Sequence, residues 1–344
     1  MRLLFIAILS LLSSLVAAEQ EVHIIANFNM DPTPLNQGLK IHGLEARAIC
    51  QNWEQFGEPL HRGTNSVVRL LRRISSANLP AETAKVVFMN IPNHLVANYD
   101  LSKWPKEKLI LFMWEPPLRL KRLYSRKLHP HFARIYTWDD SLVDNKQYFK
   151  FNYPVLRPMI DNVVPFTEKK LCTIVSGYAS DKFCQNHPGE LYSERKKAIA
   201  FFEKVGEKGF DFYGWGWPKT DFTSYRGRTE DKIGTIKNYR FSICYENCHN
   251  KKGYITEKIF DCFAAGNVPI YWGAPNVTDY IPKDCFIDRR DFASLEDLYA
   301  YITSMPQHAY EGYLERIRSY LKSPEEQQFS QESFNKIFVE AVRG

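Results

Sequence analysis

The chain has 344 residues, of which 44% are hydrophobic, 24% charged and 14% aromatic, and its formal net charge is +6 at pH 7. That balance excludes an intrinsically disordered chain, and the length suits two domains of roughly 150 residues each better than one core. Lys and Arg are spread along the sequence without a dense basic run, so no nucleic-acid partner is implied, whereas a phosphorylated small molecule is compatible.

At the N-terminus Arg2 precedes an apolar run over residues 3–15, followed by Val16-Ala17-Ala18 and Glu19. A short basic start, an apolar stretch and small residues before a polar one read as a signal peptide over 1–18, with entry to the secretory pathway. The run falls short of the roughly 20 apolar residues of a membrane span, and a short anchor in a Golgi-type membrane is the alternative. Seven cysteines are an odd number for a secreted chain, so at least one stays free or pairs outside it. Cys244 and Cys248 have C-x₃-C spacing, but no second Cys/His pair stands nearby to complete a zinc site. Asn276-Val277-Thr278 is an N-glycosylation sequon.

In chain order, residues 21–28 read as a strand and 62–77 as a helix, with Val67, Leu70, Leu71 and Ile74 on one stripe. Short apolar strands follow at 85–90, 108–114 and 132–137; the second runs into Glu115-Pro116-Pro117 and the third into Asp139-Asp140. A second series begins after Pro165: strand 170–176, helix 192–205, strands 210–213 and 239–245, helix 256–265, strand 268–272, then helices near 295–303 and 310–321. Strands alternating with helices indicate parallel α/β sheets. The expected division is 19–163 for an N-terminal α/β domain, 164–305 for a C-terminal α/β domain and 306–344 for a helical segment. Two open α/β domains facing a cleft would bind a nucleotide sugar at strand carboxyl ends.

The most informative stretch is 239–273, YRFSICYENCHNKKGYITEKIFDCFAAGNVPIYWG. A buried strand ends in Glu246-Asn247, a polar loop follows, and Thr256 can N-cap a helix whose first turn carries Glu257 and Lys258. Gly266 fits the end of that helix. A helix N-terminus offers unpaired N–H groups and a positive dipole end, and Lys258 adds a full charge, which suits a diphosphate. Glu257 could bind ribose or sugar hydroxyls. On charge pattern alone, a solvated first turn explains Glu257 and Lys258 as well.

In order and spacing, FSICYEN, YITEK and PIYWG resemble the donor-binding signature of the α1,3/4-fucosyltransferases, glycosyltransferase family 10. FDFYGWG at 210–216, Tyr225-Arg226-Gly227, Asp231-Lys232, ELYSERKKAIAFF at 190–202 and LFMWEPP at 111–117 extend the similarity, so it covers most of 108–300. The resemblance implies an α/β fold of the GT-B-like kind, with two Rossmann-type domains, and inverting transfer of L-fucose from GDP-β-L-fucose to a GlcNAc hydroxyl of a glycan. It implies acceptor binding for the domain at 19–163 and GDP-fucose binding for the domain at 164–305. By position, it implies donor binding by Arg195, Asn247, Tyr254, Glu257 and Lys258, with Arg195 on the pyrophosphate, and Glu115 as general base. Asp139 is a weaker acceptor-side candidate that turn formation explains equally well. Gly177 stands where some relatives carry an asparagine. Neither Asp139-Asp140 nor Asp288-Arg289-Arg290-Asp291 has the Asp-x-Asp spacing of metal-dependent transferases, so no metal and no essential cofactor is expected. Rival readings are a transferase using another nucleotide sugar and a secreted carbohydrate-binding protein without catalysis.

Overall fold

The computed structural model describes residues 20–26, 44–50, 83–91, 104–205, 209–218 and 222–344, with isolated positions at 35, 39–41 and 101. The signal peptide or anchor and the helix expected at 62–77 lie outside the described residues. No helix among the described residues is long and apolar enough to cross a membrane.

Two compact units divide the chain. One takes the described residues up to Thr137, with Leu142–Phe151 and Asn335–Gly344; the other takes Trp138–Ser141 and Asn152–Phe334. The first holds a six-stranded sheet of β1 (Gln20–Ala26), β2 (Leu44–Cys50), β3 (Thr83–Met89), β4 (Leu109–Met113), β5 (Arg134–Thr137) and β6 (Tyr148–Lys150). The strands run in the order β2-β1-β3-β4-β5-β6 and every pair is parallel. All five residues of β4 are buried, as an internal parallel strand requires.

The second unit holds β7 (Lys170–Val175), β8 (Phe210–Tyr213), β9 (Tyr239–Tyr245), β10 (Val268–Trp272) and β11 (Ile287–Asp288), again all parallel, in the order β11-β10-β9-β7-β8. Its helices are α1 (Asp181–Asn186), α2 (Tyr192–Lys204), α3 (Lys232–Ile236), α4 (Glu257–Ala264), α5 (Leu295–Ser304) and α6 (Gln307–Tyr320). A last helix, α7 (Gln331–Arg343), begins in the second unit and passes at Asn335 into the first, where Phe338 stacks on Phe112 of β4 at 5.8 Å. The order in which strands are added reverses between β7 and β9, since β8 is laid on one side of β7 and β9 on the other, all parallel. Such a switch point leaves a crevice at the strand carboxyl ends.

Six cysteines, Cys172, Cys184, Cys244, Cys248, Cys262 and Cys285, are free thiols, and all but Cys184 are buried. Burial is the first cause of the raised thiol of Cys248, which is pushed up to about 12. The sequon asparagine is held from three sides. Asn276 Nδ2 donates to Asp140 Oδ2 at 3.0 Å and to Asp279 Oδ2 at 3.1 Å, while its Oδ1 accepts from Gly253 N at 2.9 Å.

Helix α4 closes on Gly266, whose φ of +61° only a glycine adopts freely. Gly266 N donates to Phe263 O and Asn267 N to Cys262 O, at 3.1 and 3.0 Å, the paired bonds of a Schellman ending. The freed Gly266 carbonyl accepts from Tyr310 OH at 3.1 Å and from the Nζ of Lys169, which is 3% exposed. Burial holds the Lys169 ammonium down to about 7, against an ordinary 10.5. Between those values the unfolded chain binds more protons here than the folded chain, so this group's contribution to stability grows with pH. The stability of Lys169→Met relative to the wild type is therefore expected to fall as the pH rises from 7 towards 10.5, read from urea midpoints. A gap that stays constant across that range would contradict the buried-ammonium account.

Candidate functional site

The centre of the site is a carboxylate at the end of β9. Glu246 continues the ladder through its N–H to Trp272 O at 2.7 Å, and its side chain has no exposed surface. A buried carboxylate costs several kcal/mol unless its oxygens are satisfied. Here they accept from Thr256 N at 2.8 Å, from Thr256 Oγ1 at 2.9 and 2.8 Å, and from Lys258 Nζ at 3.0 Å. Thr256 does stand at the N-cap of α4, but its hydroxyl makes no cap hydrogen bond. The hydroxyl instead donates to Glu246 and accepts from Lys258 Nζ at 2.9 Å. Capping of this end is thus taken from ten residues upstream.

Lys258 is fixed by this arrangement rather than left waving from a first turn. Burial works against its charge, yet Glu246 and Glu257 outweigh burial and hold the ammonium above its ordinary range. Burial likewise works against the Glu257 carboxylate, and the charges of Lys258 and Lys232 bring it down to about 2. Lys232, at the start of α3, also pairs with Asp261 Oδ2 at 2.9 Å, and Asp261 pairs with Arg157 at 3.2 Å.

Arg195 reaches the same place from α2. Glu190 accepts from Tyr192 N and Ser193 N at 2.5 and 2.9 Å, which anchors the start of that helix. Of the run Glu194-Arg195-Lys196-Lys197, only Arg195 is buried, at 5% exposure. Its Nη2 donates to Tyr245 O at 2.5 Å and to Asn247 Oδ1 at 3.1 Å, and Nη1 donates to Ser176 Oγ at 3.3 Å. Asn247 Nδ2 then donates to Tyr254 OH at 3.2 Å, and the buried Tyr254 ring packs on Trp138 at 4.6 Å. Arg195, Asn247 and Tyr254 are therefore one hydrogen-bonded chain. Arg195, Lys232 and Lys258 line one small cavity together with Ser242, Cys244 and Cys262. Ser242 Oγ is buried there without a hydrogen-bond partner among the described residues. Three cations and an unused hydroxyl surround a cavity of about 20 Å³ at the sheet's switch point, so it is the charge there rather than the room that suits a diphosphate.

Glu115 lies in the other unit, directly after β4. Its N–H and that of Trp114 both donate to Asn90 Oδ1, at 2.9 and 2.8 Å. Asn90 is 1% exposed, has φ +61° and itself donates from N to Phe112 O. Tyr124 OH donates to Glu115 O at 3.0 Å. The carboxylate-bearing loop is thus held through its backbone by Asn90 and Tyr124. Asp139 is grouped with the second unit, where its Oδ1 accepts from Ser141 N at 3.1 Å and Ser141 Oγ at 2.5 Å, and its Oδ2 stands 3.5 Å from Lys251 Nζ. Those bonds shape a turn. Sequence reasoning passed over Glu246, Lys232, Ser176 and Asn90. A carboxylate closing an apolar strand was the available signal for Glu246, and the Asp231-Lys232 pair for Lys232.

Two parallel α/β sheets, one with a cationic cavity at its switch point, define a glycosyltransferase of the GT-B class. In overall fold the chain is similar to a crystal structure of an α1,3-fucosyltransferase with GDP, with a TM-score of 0.53 at 13% identity over 96% of this chain and 92% of that one. It is also similar to a glycosyltransferase from Rickettsia africae, with a TM-score of 0.57 at 10% identity over 94% and 98%. Residues 168–339 match the model of glycosyltransferase family 10 (fucosyltransferase), C-terminal part, and the chain belongs to that family. It is 36% identical over 89 residues to the α-(1,3)-fucosyltransferase FucT of Helicobacter pylori, covering 26% of this chain and 18% of that protein. It is 30% identical over 154 residues to the mouse 4-galactosyl-N-acetylglucosaminide 3-α-L-fucosyltransferase 9, covering 42% and 35%. In both cases the chain matches well under half of the relative's length.

Replacing Glu246 by Gln leaves Lys258 without its buried counter-charge. Glu246→Gln is expected to lower unfolding free energy by about 3–5 kcal/mol, the range for breaking a buried pair, read from urea denaturation. Glu257 supplies a pH-resolved companion. Its folded value is depressed, so its contribution is present above the ordinary 4.5 and lost as pH falls towards 2. The stability gap between wild type and Glu257→Gln should close over that acid window, and a gap unchanged there would contradict the pairing.

Proposed function

We propose that this chain is an inverting α1,3-fucosyltransferase that moves L-fucose from GDP-β-L-fucose to a GlcNAc hydroxyl of a glycan acceptor, in α1,3 or α1,4 linkage. The observation that carries this reading is the convergence of Arg195 and Lys258 on one cavity at the switch point, in a chain of the fucosyltransferase family. Relatives named as α1,3-fucosyltransferases and a similar fold that binds GDP support it. The N-terminal pattern supports action within the secretory pathway.

In the proposed reaction the acceptor hydroxyl attacks the anomeric carbon of fucose from the face opposite the nucleotide. Its proton passes to the Glu115 carboxylate. The bond from the anomeric carbon to the β-phosphate oxygen breaks, and the electron pair leaves on GDP. The single displacement turns a β-linked donor into an α-linked product. Leaving GDP gathers negative charge, which Arg195, Lys258 and the N-terminus of α4 neutralise. Asn247 and Tyr254 hold the Arg195 fork in place, and Glu257 is positioned for donor hydroxyls. The charge of this cluster is the reason to propose that no metal or other cofactor is essential.

Arg195→Ala and Lys258→Ala should each weaken GDP binding in calorimetry and lower kcat. The double variant should lose less than the sum, because both charges act on one leaving group. Unchanged GDP affinity in both single variants would remove them from the donor site. Calorimetry with GDP-fucose, GDP-mannose and UDP-sugars reads donor choice in the same cell.

Glu115→Gln keeps the size of the side chain but cannot accept the proton. Its kcat should fall by roughly 10²–10⁴-fold, with GDP affinity little changed and the acidic limb of the pH profile flattened. Transfer to a glycan array should persist in excess EDTA. Near-normal kcat in the variant would sink the general-base role, and activity abolished by EDTA and restored by Mn²⁺ would sink the metal-free one.

A further inference from the structure

Among the described residues the large hydrophobics with exposed side chains are few, and Trp215 is one, at 64% exposure. It stands just past the carboxyl end of β8, next to the end of β7. Its backbone is tied down on every side. Ser176 N donates to Tyr213 O at 2.8 Å and Tyr178 N to Trp215 O at 3.0 Å, so the two strand ends stay laddered beyond β7 and β8. Gly214 N donates to Gly227 O at 2.9 Å, and Tyr225 OH donates to Gly214 O at 2.9 Å. A Cβ on Gly214 would lie 1.8 Å from Ser176 O, so only glycine lets the loops approach this closely. The neighbouring Trp217 is used in packing: its Nε1 donates to Ser176 O at 2.7 Å and its ring meets Phe212 and Tyr178 edge-on at 5.0 and 5.4 Å. Trp215 makes no such ring contact among the described residues.

The indole does have one neighbour that defines its place. A Cβ on Gly177 would stand 3.1 Å from Trp215 Nε1 and 3.2 Å from its Cε2. Any side chain at 177, asparagine included, would press on the indole. Gly177 directly follows Ser176, whose Oγ is 3.3 Å from Arg195 Nη1. An exposed aromatic face thus lies against Gly177, the residue after the Ser176 that holds Arg195, on adjoining loops of the same sheet.

We infer that Trp215 is the stacking wall for the heterocyclic base of the nucleoside-diphosphate donor, and that Gly177 is the residue that leaves room for it. This rests on the donor reading of the Arg195–Lys258 cavity and adds the group that recognises the base rather than the phosphates. A base offers a flat π-face that an indole covers without hydrogen bonds, worth about 1–3 kcal/mol per base. An indole 64% exposed on a braced loop can take it without rearranging.

The test separates base from phosphate. Calorimetric affinities for GDP and for inorganic pyrophosphate are measured on the wild type, Trp215→Ala, Trp215→Phe and Gly177→Ala. Trp215→Ala should bind GDP roughly 5–150-fold more weakly, the fold-change matching that stacking range, and pyrophosphate unchanged. Trp215→Phe should recover most of the loss. Gly177→Ala should weaken GDP alone, because its methyl displaces the indole. Quenching of tryptophan emission by GDP should be smaller in Trp215→Phe than in the wild type. The inference is overturned if Trp215→Ala binds GDP as well as the wild type, including the case where it raises only the acceptor KM. It is also overturned if that variant loses pyrophosphate and GDP equally. A wild type that binds neither GDP nor pyrophosphate overturns the donor reading and this inference together, whereas wild-type binding of GDP that Trp215→Ala leaves intact overturns this inference alone.

Discussion

Glu246 has no exposed surface, and everything on the donor side of the second unit is arranged around keeping its charge there. Its carboxylate caps α4 through Thr256 N and holds Lys258 by an ion pair. The same residue begins the turn that places Asn247 against Arg195 and Tyr254. Two cations from different helices are thereby fixed by groups other than a ligand. A cluster of this kind is organised in advance, so the proposed diphosphate would leave little ordering to be done on binding. The cost is an internal competition: Glu246 already neutralises part of the charge that Lys258 would offer to the proposed diphosphate. Arg195, whose partners are a carbonyl, an amide and a hydroxyl, keeps its full charge available.

The first unit solves a related problem with neutral groups. Glu115 follows a strand buried along its whole length, and a strand end would ordinarily fray into solvent. Asn90 prevents this by presenting one side-chain oxygen to two consecutive N–H groups from a backbone conformation with φ +61°. An amide does this without adding charge beside the carboxylate proposed as general base. Positioning by Asn90 and stiffening by Pro116 and Pro117 act on the same short loop.

Much of the second unit was legible in the sequence. Strands at 210–213, 239–245 and 268–272 stand where the apolar runs put them, because residues buried on both faces of a parallel sheet leave an uninterrupted hydrophobic signal. The two-residue β11 and the three-residue β6 left no such signal; β6 depends on Asp144, which accepts from the N–H groups of Lys146, Gln147 and Tyr148. At the site, Asn247, Tyr254 and Lys258 were legible through motif order. Arg195 was not separable from Lys196 and Lys197 by charge, since what distinguishes it is the face of α2 that turns towards Ser176 and Tyr245. Glu246 was hidden for the same reason: no local rule tells that a carboxylate at a strand end turns inward, and the partners that let it do so lie ten and twelve residues away.

Helix α7 carries a consequence for how the protein is made. Residues 335–344 belong to the first unit although the second unit's sequence separates them from its strands, and Phe338 covers Phe112, which also stacks on Tyr136 at 4.7 Å. While the middle of the chain is still being translated, that aromatic surface has no cover. The first unit is therefore completed only once residues 335–344 have been made, after the whole of the second unit's sequence. Until then the nascent chain exposes an apolar face of the kind that molecular chaperones bind, and loss of α7 would damage a unit whose strands precede it by the whole length of the second.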